Sequence, residues 1–149
     1  WSKLGRAEFL RAPFLLEALM KISSLATLTG TFLLIAGSAF AAVSLTAEIS
    51  NARTHANNAA NAPTIEAVHT HMHHAINCLV GPKGEGFDAA QMNPCTNAGN
   101  GAIPDQTDAA KKAKLEDAKT ILMKGLTETD VKAAQRSAAT AVTAIAAAM

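Results

Sequence analysis

From Ser44 to the C-terminus, apolar residues recur every third or fourth position, and no run carries a strand signal. That spacing restricts the chain to packed amphipathic helices. It predicts a first helix over about Ser44 to Asn58, with Leu45, Ile49, Ala52 and Ala56 on one face. Asn57, Asn58, Asn61 and Pro63 then make a short turn. A second helix begins near Pro63, which suits a first helical position, and stops at Gly81-Pro82. Its inner face is Ile65, Val68, Met72, Ile76 and Leu79. A third helix runs from about Gln106 to Lys124, stopped by Gly125, with Leu115, Ala118 and Leu122 inward and Ile121 beside them. The fourth starts at Thr127-Glu128-Thr129-Asp130, which resembles a capping box. Its stripe is Val131, Ala134, Ala138, Val142 (with Ala141 beside it) and Ile145. The expected fold is all-α, an antiparallel four-helix bundle with one long loop between helices 2 and 3.

The residues before Ala42 read differently. Met20-Lys21 opens a short positive segment, an apolar run follows from Leu25 to Phe40, and Ala39-Phe40-Ala41 is a small-x-small cleavage signal. Together these predict a signal peptide over residues 20–41. The alternative, a membrane anchor over Ser24 to Val43, would be barely long enough and is broken by Thr27, Thr29, Gly30, Thr31, Gly37 and Ser38. Residues 1–19 are expected to be an upstream, non-native extension. The expected domain is 42–149, a periplasmic or secreted chain.

That domain carries 9 Lys and Arg against 10 Asp and Glu, a net charge of −1, and its one aromatic residue is Phe87. It has neither the basic stripe nor the stacking rings that nucleic acid requires. Its alanine-rich helices bury little apolar area per residue, so a covalent staple would help. In an exported chain, Cys78 and Cys95 read as one disulfide, closing 18 residues and stabilising the fold by roughly 3 kcal/mol. It would pin the loop from Gly81 to Asp108, which is otherwise expected to be structureless and held down by Phe87 and Ile103. The Gly-Pro-Lys-Gly-Glu-Gly run lacks the phosphate-loop pattern, and the spacing of Asp88, Asn93, Asn97, Asn100 and Asp105 matches no EF-hand.

The chemistry is concentrated on the second helix. His69, His71, His73 and His74 lie within six residues, and His55 sits on the helix before. At about 100° per residue, His69 and His73 fall about 60° and 100° from the centre of the apolar face, on one flank. His71 falls about 100° away on the other flank, and His74 about 160° away, toward solvent. His69 and His73, at i and i+4, can chelate one Cu²⁺ or Zn²⁺. The expected primary site is therefore His55, His69 and His73, with Met72 as a soft thioether ligand. His71 and His74 form an expected secondary site. The expected cofactor is a divalent metal ion, copper first and zinc second.

No enzyme is expected. Thr70 follows His69 where a zinc protease needs Glu, no CxxCH is present for haem, and no serine or threonine has evident triad partners.

The joint from Lys119-Thr120-Ile121-Leu122-Met123-Lys124-Gly125-Leu126 into Asp130-Val131-Lys132-Ala133-Ala134 is similar to the helix-Gly-helix hairpins of the small metal-binding protein family. The resemblance covers helices 3 and 4. It implies a periplasmic His-bearing helical bundle that scavenges copper or another divalent metal without catalysis. The competing expectation is a periplasmic protein-interaction module that uses the pinned loop and has no metal role. The expected partners are accordingly a metal ion and, through the narrow alanine-rich stripes, a second copy or a periplasmic protein. Nucleic acid is not expected, nor is a membrane once the leader is cleaved.

Overall fold

The computed structural model describes residues 44–149; the expected leader and upstream extension lie outside the described residues. Within that range the chain is all-helical, with five helices and no strand. They are α1 (Leu45–Asn61), α2 (Ile65–Val80), a short α3 (Ala102–Asp105), α4 (Ala109–Gly125) and α5 (Val131–Ala146). None of the described helices is long and apolar enough to cross a membrane.

Local chemistry sets each boundary. α1 runs three residues past the expected Asn58, because Asn57 and Asn61 remain helical and the Asn61 amide donates to the Asn57 carbonyl at 2.8 Å. It ends where Ala62 turns extended ahead of Pro63, whose ring disfavours a helical predecessor. α2 begins after Thr64, not at Pro63, because the Thr64 hydroxyl caps the Ala67 N–H. α4 begins later than expected, capped by Asp108 on the N–H groups of Ala110 and Lys111. α5 is capped by Asp130, whose carboxylate accepts from Ala133 N–H at 2.8 Å. Thr127 is not the cap: its hydroxyl donates to the Lys124 carbonyl and closes α4.

α1 packs on α2, α4 on α5, and α1 also on α5; α2 contacts both α4 and α5. Ala52, Ala56 and Ala59 of α1 and Ala134, Ala138 and Ala141 of α5 are fully buried, and these small faces permit close approach. The larger core side chains are Met72, Ile76, Leu79, Leu115, Leu122 and Ile145. Gln135 of α5 ties down the α1–α2 turn by donating to the Ala62 carbonyl at 2.8 Å. On α5, Ala141 is buried in full and Val142 only in part, which shifts the inner stripe by one residue.

The loop after α2 is ordered by three devices. The Cys78–Cys95 disulfide fastens it to the outer side of α2. Asn77, fully buried, donates to the carbonyls of Asp88 (3.0 Å) and Met92 (3.2 Å) and accepts from Asp88 N–H (2.9 Å). Gly81 and Gly101, at φ 67° and 114°, let the two ends of the loop cross, and a Cβ on either would overlap the backbone of the other strand of the crossing. The segment expected to be structureless through Asp108 contains α3, anchored by buried Ala102 and Ile103. Phe87 packs half-buried against the core.

Candidate metal centre

With the loop on one side and three helices around the rest, the second half of α2 is buried almost all round: Ala75 to Val80 are all buried. This reverses one expectation. His74, placed toward solvent by its angle from the apolar face, is only 7% exposed. From His74 to Val80, α2 leaves no residue exposed to solvent.

His55 of α1 faces His71 and His74. One ring nitrogen from each of the three lies within 4.8 Å of the other two. The ring centroids are 5.6 Å apart for His55–His71, 5.1 Å for His55–His74 and 5.8 Å for His71–His74. The hairpin produces this meeting. His55 and His71 stand eight residues either side of Pro63, so a tight turn returns them to one height. His74 is one turn farther along α2.

The remaining residues of the expected set are placed elsewhere. His73 points to the loop, its Nδ1 at 3.4 Å from Asp88 Oδ2. His69 is half-buried, and its Nε2 has no hydrogen-bond partner. Met72 is fully buried, and its thioether packs at the C-terminus of α4: a Cβ on Gly125 would stand 2.6 Å from Met72 Cε and 3.0 Å from its sulfur. The three-histidine group therefore combines His55 with the pair expected to form the secondary site. It does not contain His69, His73 or Met72 as ligands. The height of His55 follows from the sequence; the flank of α2 that α1 covers does not.

Distances and electrostatics both suit a cation. His55 Nδ1 and His71 Nδ1 are 3.4 Å apart, long for a hydrogen bond, which centres on about 2.9–3.0 Å. Two nitrogens bound tetrahedrally to one ion at about 2.0–2.1 Å would stand about 3.3 Å apart. His74 Nδ1 is buried without any partner. A buried donor or acceptor left unpaired costs about 1–3 kcal/mol, and an ion would satisfy it. Burial pushes the pKa of His55 below 6.5, and the neighbouring His74 and His71 push it further. Burial likewise lowers that of His74, followed by His71 and His73. Both imidazoles are thus held in the neutral form that binds metal. The group can bind a metal ion, and no carboxylate belongs to it.

No protein family matches this chain, and no curated protein or solved structure is similar to it.

Buried Glu48, which the apolar spacing gave no reason to single out, lies on the same helix as His55. Its Oε1 accepts from Gly101 N–H at 2.8 Å, and its Oε2 is unpartnered. Burial raises its pKa above 4.5, the Gly101 N–H opposes this, and Asp105 adds to the rise. Glu48 and Asp105 approach each other over Gly99, where a Cβ would collide with both carboxyl groups. Asn77 was the other residue unmarked in the sequence; an amide opposite the apolar face of a helix, followed by a Gly- and Asn-rich loop, is the signal that could have found it.

Proposed function

We propose that this is an exported small metal-binding protein that holds one divalent transition metal ion between His55, His71 and His74. The observation that carries the reading is the buried, unpartnered Nδ1 of His74 beside a His55–His71 pair at ligand spacing. Drawing all three nitrogens from within 4.8 Å to tetrahedral spacing takes ring movements of about 1.5 Å. Three imidazole ligands suit Cu²⁺ and Zn²⁺, and the general affinity order favours copper. The reading has four long helices in an antiparallel bundle, supported by the tight turns between α1 and α2 and between α4 and α5. It has a periplasmic setting, with which the Cys78–Cys95 disulfide is compatible. It agrees with the metal scavenging, without catalysis, that the resemblance to the small metal-binding protein family implies.

Calorimetric titration of the purified protein with Cu²⁺, then Zn²⁺, tests the reading near neutral pH. The expected result is about one ion per chain, with binding abolished by His71→Ala with His74→Ala and largely retained by His69→Ala with His73→Ala. Equal losses in the two double variants would replace the site with a diffuse surface cluster. No binding tighter than about 100 μM would end the metal reading.

A further inference from the structure

We propose that an ion held by His55, His71 and His74 takes its remaining ligand from solution, as a small monodentate anion; this rests on the metal reading above. Three imidazoles supply three neutral donors and no charge. A divalent ion among them keeps its full double charge in a pocket where His74 is buried and His55 and His71 are half-buried. Charge that is desolvated without a counter-charge is costly, so the site favours an incoming anion over neutral water.

Among the described residues no carboxylate joins the three histidines, and three acids of α1, α3 and the loop are engaged elsewhere. Glu48, on α1 with His55, spends Oε1 on Gly101 N–H and faces Asp105. Asp105 accepts from the backbone and side-chain N–H groups of Asn100. Asp88, on the loop packed against α2, pairs with His73 and accepts from Ala90 N–H. Both cysteines are joined in the disulfide. A tetrahedral or tetragonal ion with three protein nitrogens has at least one further position, the arrangement by which metal sites admit an exogenous ligand. The site is then built to hold metal and anion together, each raising the affinity for the other.

The test uses the full chain loaded with one equivalent of Cu²⁺, freed of excess copper by gel filtration and titrated with azide at constant ionic strength. The expected result is an azide-to-copper charge-transfer absorption that saturates at one azide per copper. Copper should stay with the protein and be held about fivefold or more tighter with azide than with perchlorate. Copper retained with no such band means that the chain completes the coordination sphere, which overturns this inference and leaves the metal reading standing. Copper stripped from the protein by azide also overturns it, because no ternary complex forms. A chain that takes up no copper at all ends both.

Discussion

Replacing Glu48 by Gln and by Ala separates two effects at one buried carboxyl. Its side chain is fully buried, one oxygen accepts from Gly101 N–H at 2.8 Å, and the other has no partner. Glu48→Gln keeps an acceptor for Gly101 and removes the charge. Glu48→Ala removes both, so comparing the two variants isolates the hydrogen bond and the packing. The orphaned Gly101 N–H costs about 1–3 kcal/mol, and the loss of buried methylene costs about 0.8 kcal/mol per group. Alanine should therefore be about 2–4 kcal/mol less stable than glutamine. At roughly 4–8 °C per kcal/mol for a domain of this size, that is about 8–30 °C in Tm. Comparing wild type with Glu48→Gln isolates the charge. The Glu48 pKa is raised in the fold, so the stability linked to its proton is complete below 4.5 and is lost as pH rises through the folded value. Glu48→Gln should thus gain on wild type as pH climbs from 4.5 toward 8. The histidines titrate in both proteins, so their contribution cancels in the difference. Urea unfolding at intervals from pH 4 to 8 reads both comparisons. Equal stability of the two variants would show that the Gly101 contact contributes nothing, and a pH-independent difference between wild type and Glu48→Gln would refute the buried-charge argument.

Folded His55 and His74 resist protonation, so the unfolded chain takes up protons first and apo-protein stability should fall as pH drops through 6.5; a His55→Gln, His74→Gln variant that keeps the full acid-side slope would contradict this. For the same reason copper affinity should hold until pH falls below 6.5, and a titration already half-lost above that value would point to exposed ligands. Asn77→Ala removes both hydrogen bonds to Asp88 and should cost about 2–4 kcal/mol, with faster hydrogen exchange across residues 86–92; exchange unchanged there would mean that the disulfide alone orders the loop. Gly125→Ala drives a methyl into Met72 and Ser137 and should cost about 1–3 kcal/mol, with part regained by Met72→Ala, as measured by thermal unfolding.

The four long helices were legible because each obeys local rules, whereas the short α3 was not. Leu115, Ala118 and Leu122, and Val68, Met72, Ile76 and Leu79, are buried as their spacing requires. Boundaries shifted where a side chain had two uses: Thr127 closes α4 instead of opening α5, and Asn61 extends α1 where asparagines usually end a helix. Such choices depend on which orphan backbone group is nearer in three dimensions, and composition does not carry that.

The three-histidine group was legible in one coordinate and not in the other. Height along a hairpin is a matter of counting from the turn, and His55 with His71 satisfies the count about Pro63. Azimuth is a matter of which neighbour covers which flank. Angles measured from a single apolar face place everything opposite it in solvent. That placement holds for a helix covered on one side. α2 is covered by α1 on one flank, by α4 and α5 on its apolar face, and by the pinned loop on another side. The residues that disclose the loop as a cover are Asn77 and Cys78, both polar or reactive groups on what looked like the outer face and both fully buried. A helix that carries a buried amide and a disulfide opposite its apolar stripe has to be read as central. Its histidines then belong to whichever flank a neighbouring helix meets with a donor of its own, and here His55 makes that flank the one bearing His71 and His74.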